Sequence, residues 1–416
     1  MIAIPFVYFT FLSFLFYRKK GHKIDFSVII TAMYAVSGLF SILIDVFGLR
    51  NDDTLHYNIS FIAAFSYCAL LTLCILPFSH NSNLRIITPK PLRYSVVLKF
   101  LAILSVIWFI WTVFVSRDLF IRMLVSDMHE SRTMALGGEL DSTLDRVPAL
   151  LRPLMIIMNL IFSCNWVLLF LAFFSRYIQR LPWLYFWLYL FASLSGPFGG
   201  VLGADRSSVA YWILSAFGIY LLFRPFINKS EKKHLIKIFI IILSFLLSYL
   251  VIMTIGRFMM STEFGEDGVQ GSLIYYFGIS YINFCNFFDN YTPPYPNLGI
   301  IFPFIGKYIF GIETGGTIIQ QQMTLLTHFE CGTFYTFIGQ IIMGAGTIVA
   351  VLYCLLYSFT TYVALPSVIK KPKIHSLYLY FALVSVVYLG LFGYYYTSPY
   401  RTFSLLFFYF MLKFSR

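Results

Sequence analysis

The sequence predicts an all-α integral membrane protein, a polytopic bundle of about eleven transmembrane helices making a single domain over 1–416. Three observations lead there. Apolar runs of about 20 residues recur along the chain between short charged stretches, and about 20 helical residues cross the ~30 Å hydrocarbon slab of a bilayer. The chain is 59% hydrophobic and 12% charged, with mean hydropathy +0.79, against roughly 45–50% apolar and 25% charged in a soluble domain, which excludes a soluble protein. The lysines, finally, are segregated into alternate loops. Backbone groups in lipid must be paired within their own segment, so the runs are helices.

The first run, 2–17, lacks the basic start and small-residue exit of a cleaved signal and is expected to be a retained span. The others are 26–49, 59–78, 96–115, 149–174, 183–203, 208–223, 236–256, 335–362, 376–394 and 398–413. Eleven crossings put the N-terminus outside and the C-terminus inside. Charge tests this independently. Inner loops carry Arg18, Lys19, Lys20 and Lys23, then Arg85, Lys90, Arg93 and Lys99, then Arg176 and Arg180. They continue with Arg224, Lys229, Lys232, Lys233 and Lys237, then Lys370, Lys371 and Lys373, and end with Lys413 and Arg416. Their only acids are Asp25 and Glu231, and Lys307 is the one lysine left outside, as the positive-inside rule requires. The net charge of +12 therefore consists of dispersed lipid anchors, and no nucleic-acid partner is expected.

Two outer segments are long. In 116–148, Leu119, Phe120, Met123 and Leu124 recur at helical spacing among charges and predict an interfacial helix. The larger, 257–334, precedes the ninth span. Within it 269–288 is uncharged, but counting it as a span would put Lys370, Lys371 and Lys373 outside. Ser280, Asn283, Asn286 and Asp289 give it a polar stripe, so the expectation is a re-entrant or surface-lying helix whose polar side faces a cavity. Pro293, Pro294, Pro296 and Pro303 with several glycines then predict turns. Four of the six cysteines lie in apolar runs, where a thiol acts as a small hydrophobe. Cys285 and Cys331 are the pair placed for a disulfide in an oxidising compartment.

The outer side is rich in arginine. Arg117, Arg122 and Arg132 share a loop with Asp118, Asp127, Glu130, Asp141 and Asp145, and solvated pairing accounts for them. Arg206, Arg257 and Arg401 instead sit at span ends, where an ionised group is costly unless paired or hydrated. A local pair with Asp205 is the plain account of Arg206. The alternative is that all three converge on an anion, because a guanidinium forks onto phosphate oxygens. His328 and Glu330, just before the ninth span, are candidate bases for an acceptor hydroxyl, or else a loop histidine and a solvated acid. Asp289, Glu313 and Asp267 are further acids of the segment. Tyr275, Tyr276, Tyr281, Tyr291, Tyr295, Tyr335 and Tyr394 to Tyr396 predict interface belts, with stacking on sugar rings as the alternative. No phosphate-binding loop, nucleophile elbow, HExxH or paired Cys-x-x-Cys is present, so neither metal nor cofactor is expected.

About eleven spans, a late large outer loop, arginines at span ends, the segment from Gly332 to Gly339 and then Gly344-Ala345-Gly346 together resemble the bacterial O-antigen polymerase (oligosaccharide repeat-unit polymerase) family. The turn from Gly203 to Ser208 resembles that family's glycine-arginine turn, while Met343 stands where its members often carry an acid. The related ligases place a histidine before the same late span, which His328 with Gly339 partly matches.

The resemblance implies a multi-pass protein of the bacterial inner membrane with a periplasmic N-terminus and a cytoplasmic C-terminus. It implies periplasmic glycosyl transfer between undecaprenyl-diphosphate-linked glycans, with membrane lipid, a chain-length regulator and a flippase as partners. Arg206, Arg257 and Arg401 would bind the diphosphate without a metal, and His328 or Glu330 would be the base. Competing expectations are a lipid-linked glycan flippase, an O-antigen ligase-like enzyme, and a transferase using a lipid-phosphate sugar. For the last, Asp52-Asp53 in the first outer loop is the supporting feature.

Overall fold

A computed structural model describes residues 1–49, 58–80, 89–93, 95–117, 147–202, 207–258, 268–312, 316–327, 331, 335–370 and 373–415. Among these residues every regular element is a helix and there is no strand. In chain order they are α1 (Ile4–Lys19), α2 (Phe26–Val46), α3 (Phe61–His80), α4 (Ser95–Val115), α5 (Arg152–Phe162) and α6 (Asn165–Tyr177). Next come α7 (Trp183–Ser193), α8 (Ser195–Leu202), α9 (Ser207–Phe223), α10 (Lys229–Phe258), α11 (Gly268–Asn290) and α12 (Pro303–Tyr308). The last are α13 (Gly316–Thr327), α14 (Phe337–Ala345), α15 (Thr347–Lys370), α16 (Ile374–Tyr388) and α17 (Pro399–Phe414).

A helix or a broken helix stands on each apolar run. The fifth run divides into α5 and α6, bent by 67°, the sixth into α7 and α8, and the ninth into α14 and α15. Among the described residues five helices, α2, α3, α4, α9 and α15, are long and apolar enough to cross a membrane, and the bent pair brings the number to six if it is a single broken span. The chain is thus a helical membrane protein. The interfacial helix expected at 119–124 lies outside the described residues.

The helices form two compact units. One comprises Met1–Ile87, Ser261–Lys371 and Leu379–Pro399; the other comprises Thr88–Met260, Pro372–Tyr378 and Tyr400–Arg416.

In the first unit α2 lies between α1 and α11, and small residues let the backbones meet. A Cβ at Gly38 would fall 2.6 Å from the Phe6 nitrogen of α1, and one at Gly278 would fall 2.5 Å from the Phe40 carbonyl carbon of α2. Ser37 Oγ donates to the Phe277 carbonyl at 2.8 Å and Ser41 Oγ to that of Gly278 at 2.6 Å. This contact corrects the expectation of a surface-lying helix. Residues 278–287 of α11 are buried, including Ser280, Asn283 and Asn286 of the polar stripe. Gly278 admits the α2 backbone on one face, and Ser280 and Asn283, on the other side of the helix, are buried too, so packing encloses α11 and leaves no open polar face there.

The tyrosines are corrected likewise. Tyr281, Tyr291, Tyr335, Tyr394, Tyr395 and Tyr396 are buried, whereas Tyr295 is exposed. Burial is tolerable where the phenol hydroxyl finds a partner. Tyr291 donates to the Met343 carbonyl at 2.9 Å, Tyr281 to that of Met1 at 3.2 Å, and Tyr396 pairs with Ser385. Cys285 and Cys331 are buried free thiols, so the disulfide is not formed. Where turns were expected, Pro303 opens α12, since proline in a first turn gives up no helical hydrogen bond, and Gly316 opens α13.

In the second unit α6 is buried almost throughout, with Trp166 and Phe170 against Tyr378 at ring separations of 5.1 and 5.3 Å. Ser404 of α17 donates to the Ile161 carbonyl at 2.6 Å, satisfying a group freed by the break between α5 and α6. Trp108 of α4 donates to Asn159 at 2.8 Å just before that break.

Candidate functional site

Of the residues singled out for chemistry, Arg206, His328 and Glu330 lie outside the described residues, as do Glu313, Asp267 and Asp52-Asp53. Arg257 falls in the last turn of α10 and Arg401 in the first turn of α17. Both helices belong to the second unit.

Each helix separates its cations. α10 carries Lys229, Lys232, Lys233 and Lys237 at its start and Arg257 at its end, while α17 carries Arg401 at its start and Lys413 in its last turn. Arginine and lysine therefore occupy opposite ends. Electrostatics distinguishes the two arginines. Arg257 stands at the end of α10, where a helix has the negative pole of its dipole. In the first turn of α17 a cation adds to the positive pole, so local stability disfavours Arg401 and an anion favours it. Arg401 is half-buried and in contact with its surroundings. Ser404, one turn on, fixes α17 through its bond to Ile161. Arg117 stacks over Phe114 at 5.2 Å, and Arg152 donates Nε to the Val147 carbonyl at 3.0 Å, so these two rims are engaged locally.

The glycines that carry the resemblance have structural roles. Gly339 lies in the wholly buried α14, where a Cβ would fall 2.8 Å from the Tyr335 Cβ. A Cβ at Gly344 would fall 2.8 Å from the Ile300 side chain, and Gly346, at φ +91°, ends the helix in a conformation that suits glycine. The freed carbonyls of α14 are then met by the loop after α11: Asn297 N–H reaches Gly344 O at 2.7 Å and Tyr291 reaches Met343 O. At its start, Thr336 caps the Gly339 N–H, and Phe337 N–H donates to Gly390 O at 2.8 Å. Gln340 accepts the Tyr394 N–H at 2.5 Å. Sequence reading missed this clamp, for which Gly346 was the available signal.

Asp289, at the exposed end of α11, is the one described acid of the segment's candidates. Desolvation pushes its carboxyl up, and a hydrogen bond from the Ser60 backbone opposes that. Among the described residues no group of three or more His, Cys, Asp or Glu side chains is placed to hold a metal. Compared with family models, curated proteins and solved structures, the chain matches none.

Proposed function

We propose that the protein is a metal-independent membrane glycosyltransferase that polymerises undecaprenyl-diphosphate-linked oligosaccharide units into a surface polysaccharide on the outer face of the bacterial inner membrane. The observation that carries this is the segregation of cations: arginine at one end of α10 and of α17, lysine at the other. Eleven crossings, with the N-terminus outside, put the arginine ends where exported lipid-linked glycans meet the membrane.

The chemistry follows from the charge that must be stabilised. As an acceptor hydroxyl attacks the anomeric carbon of the growing chain, the bond to the lipid diphosphate breaks and negative charge collects on the departing group. Arg206, Arg257 and Arg401 supply fixed cations for that charge, and Arg401 is reinforced by the positive pole of α17. His328 or Glu330 takes the proton of the hydroxyl. The membrane supplies both substrates, and a flippase and a chain-length regulator act beside the enzyme.

Removing a donor aimed at developing charge lowers the rate about 100-fold or more. Arg257→Ala is therefore expected to abolish long-chain glycan in cells while the protein accumulates normally in the membrane. Polymer of normal length from that variant removes Arg257 from the site.

One observation favours a second reading, a lipid-linked glycan flippase. Each unit contains a broken helix, α5–α6 in one and α14–α15 in the other, and discontinuous helices frame the binding sites of many transporters. A flippase would move the lipid-linked unit between leaflets without breaking its diphosphate bond.

A further inference from the structure

The lysine-rich start of α10 and the start of α7 border an open pocket of about 330 Å³, lined by Trp183, Trp187, Ser230, Glu231 and His234. All of it belongs to the second unit. Its volume lies at the lower end of the ~300–1,000 Å³ of small-ligand sites, enough for a headgroup.

The charge around it is one-sided. Segments 176–184 and 224–237 contain six lysines and arginines besides Arg176, and Glu231 is their single acid. That carboxylate is already neutralised: Arg176 Nη2 lies 2.6 Å from it, and the same guanidinium stacks over Trp183 at 4.5 Å. Arg180, Arg224, Lys229, Lys232, Lys233 and Lys237 thus leave the surroundings positive. Donors are also left over. Arg176 Nε and the Tyr177 hydroxyl are buried with no hydrogen-bond partner among the described residues, although neither residue lines the pocket itself. His234, on the rim, is exposed.

Away from the basic mouth the surface turns apolar. Leu184, Trp187 and Phe191 follow one face of α7 and are 60%, 40% and 48% exposed, and Ile236 and Ile240 are exposed on α10. A ligand that fits both features has an anionic head and hydrocarbon chains. Free phosphate leaves the apolar strip unused, and a zwitterionic lipid leaves the charge unmatched.

We propose that this pocket seats the headgroup of one anionic phospholipid, its phosphate beside Ser230 and His234 and its chains along Leu184, Trp187 and Phe191. The lipid tethers the start of α10 to the turn between α6 and α7, and it does so independently of any glycan chemistry.

The test uses the full chain in mild detergent. In native mass spectrometry it is expected to retain one phosphatidylglycerol in preference to phosphatidylethanolamine. Ser230→Leu with His234→Ala should weaken that retention about tenfold, the effect of losing one or two polar contacts. Chain-brominated phosphatidylglycerol should quench wild-type tryptophan fluorescence, and Trp187→Phe should remove part of the quenching, a readout that stands even if the double variant fails to fold. Equal retention of the zwitterionic lipid, quenching that Trp187→Phe leaves unaltered, or displacement of the lipid by millimolar inorganic phosphate would each overturn the proposal.

Discussion

Single atoms decide much of this fold. Gly278 is the plainest case, because the contact it meets is the backbone of α2, which cannot step aside as a side chain can. Gly278→Ala is expected to cost about 1–3 kcal/mol through overpacking, read as a lower melting temperature in detergent. Gly199 in α8 has nothing within 4 Å of its missing Cβ, so Gly199→Ala should be neutral or slightly stabilising. Equal losses from the two would contradict the close approach of α2 and α11. A second residue-scale case lies at the lysine-rich end of α1. Lys20 is buried, touches the Asp25 carboxylate and donates to Ser27 Oγ at 2.6 Å. Burial, then the neighbouring Lys19 charge, pushes its ammonium down to about 7 from 10.5. The unfolded chain then binds more protons between about pH 7 and 10.5, so the cost of the buried charge is full below that window and fades as pH rises through it. Asp25 also caps α2 by accepting the Val28 N–H. Asp25→Asn should therefore destabilise more at pH 6 than at pH 9, and an equal loss at both would show that the cap alone matters.

At the scale of elements, the sequence located the helices better than it located their breaks. Runs of Leu, Ile and Phe sufficed to place α1 to α4 within a few residues, because length and hydropathy are local properties. The break of the ninth run left one sign in the sequence, Gly346, and its partners left none. It depends on Gly346 at positive φ together with Asn297 and Tyr291, residues about 50 positions upstream that meet the carbonyls it frees. Two of the buried tyrosines were misread for a similar reason: Tyr291 and Tyr281 donate to carbonyls far along the chain, at Met343 and Met1, and composition cannot show these. The same clamp makes a prediction. Gln340→Leu keeps the volume but leaves the buried Tyr394 N–H without its acceptor, a loss of about 1–3 kcal/mol. A lower melting temperature is the expected result, and an unchanged one would mean that the clamp does not hold α14.

For the whole molecule, the near-confinement of lysine to alternate loops is the feature on which the proposed function rests. It was fully legible in the sequence, since it rests on composition by loop, and α10 and α17 show it within single helices. The chemistry was legible only as residue types. Arg401 has a helix pole behind it, Arg257 stands at the end of α10, and Arg206, His328 and Glu330 fall outside the described residues. Polymerase and flippase thus differ in a single event, whether the bond between sugar and lipid diphosphate is broken. The most direct measurement is to incubate the purified protein, reconstituted in vesicles, with labelled undecaprenyl-diphosphate-linked repeat units and to follow glycan length, free carrier and leaflet together. The account predicts a ladder of lengthened glycan with one undecaprenyl diphosphate released per unit joined. Label that changes leaflet while every glycan stays one unit long on its original carrier would contradict it.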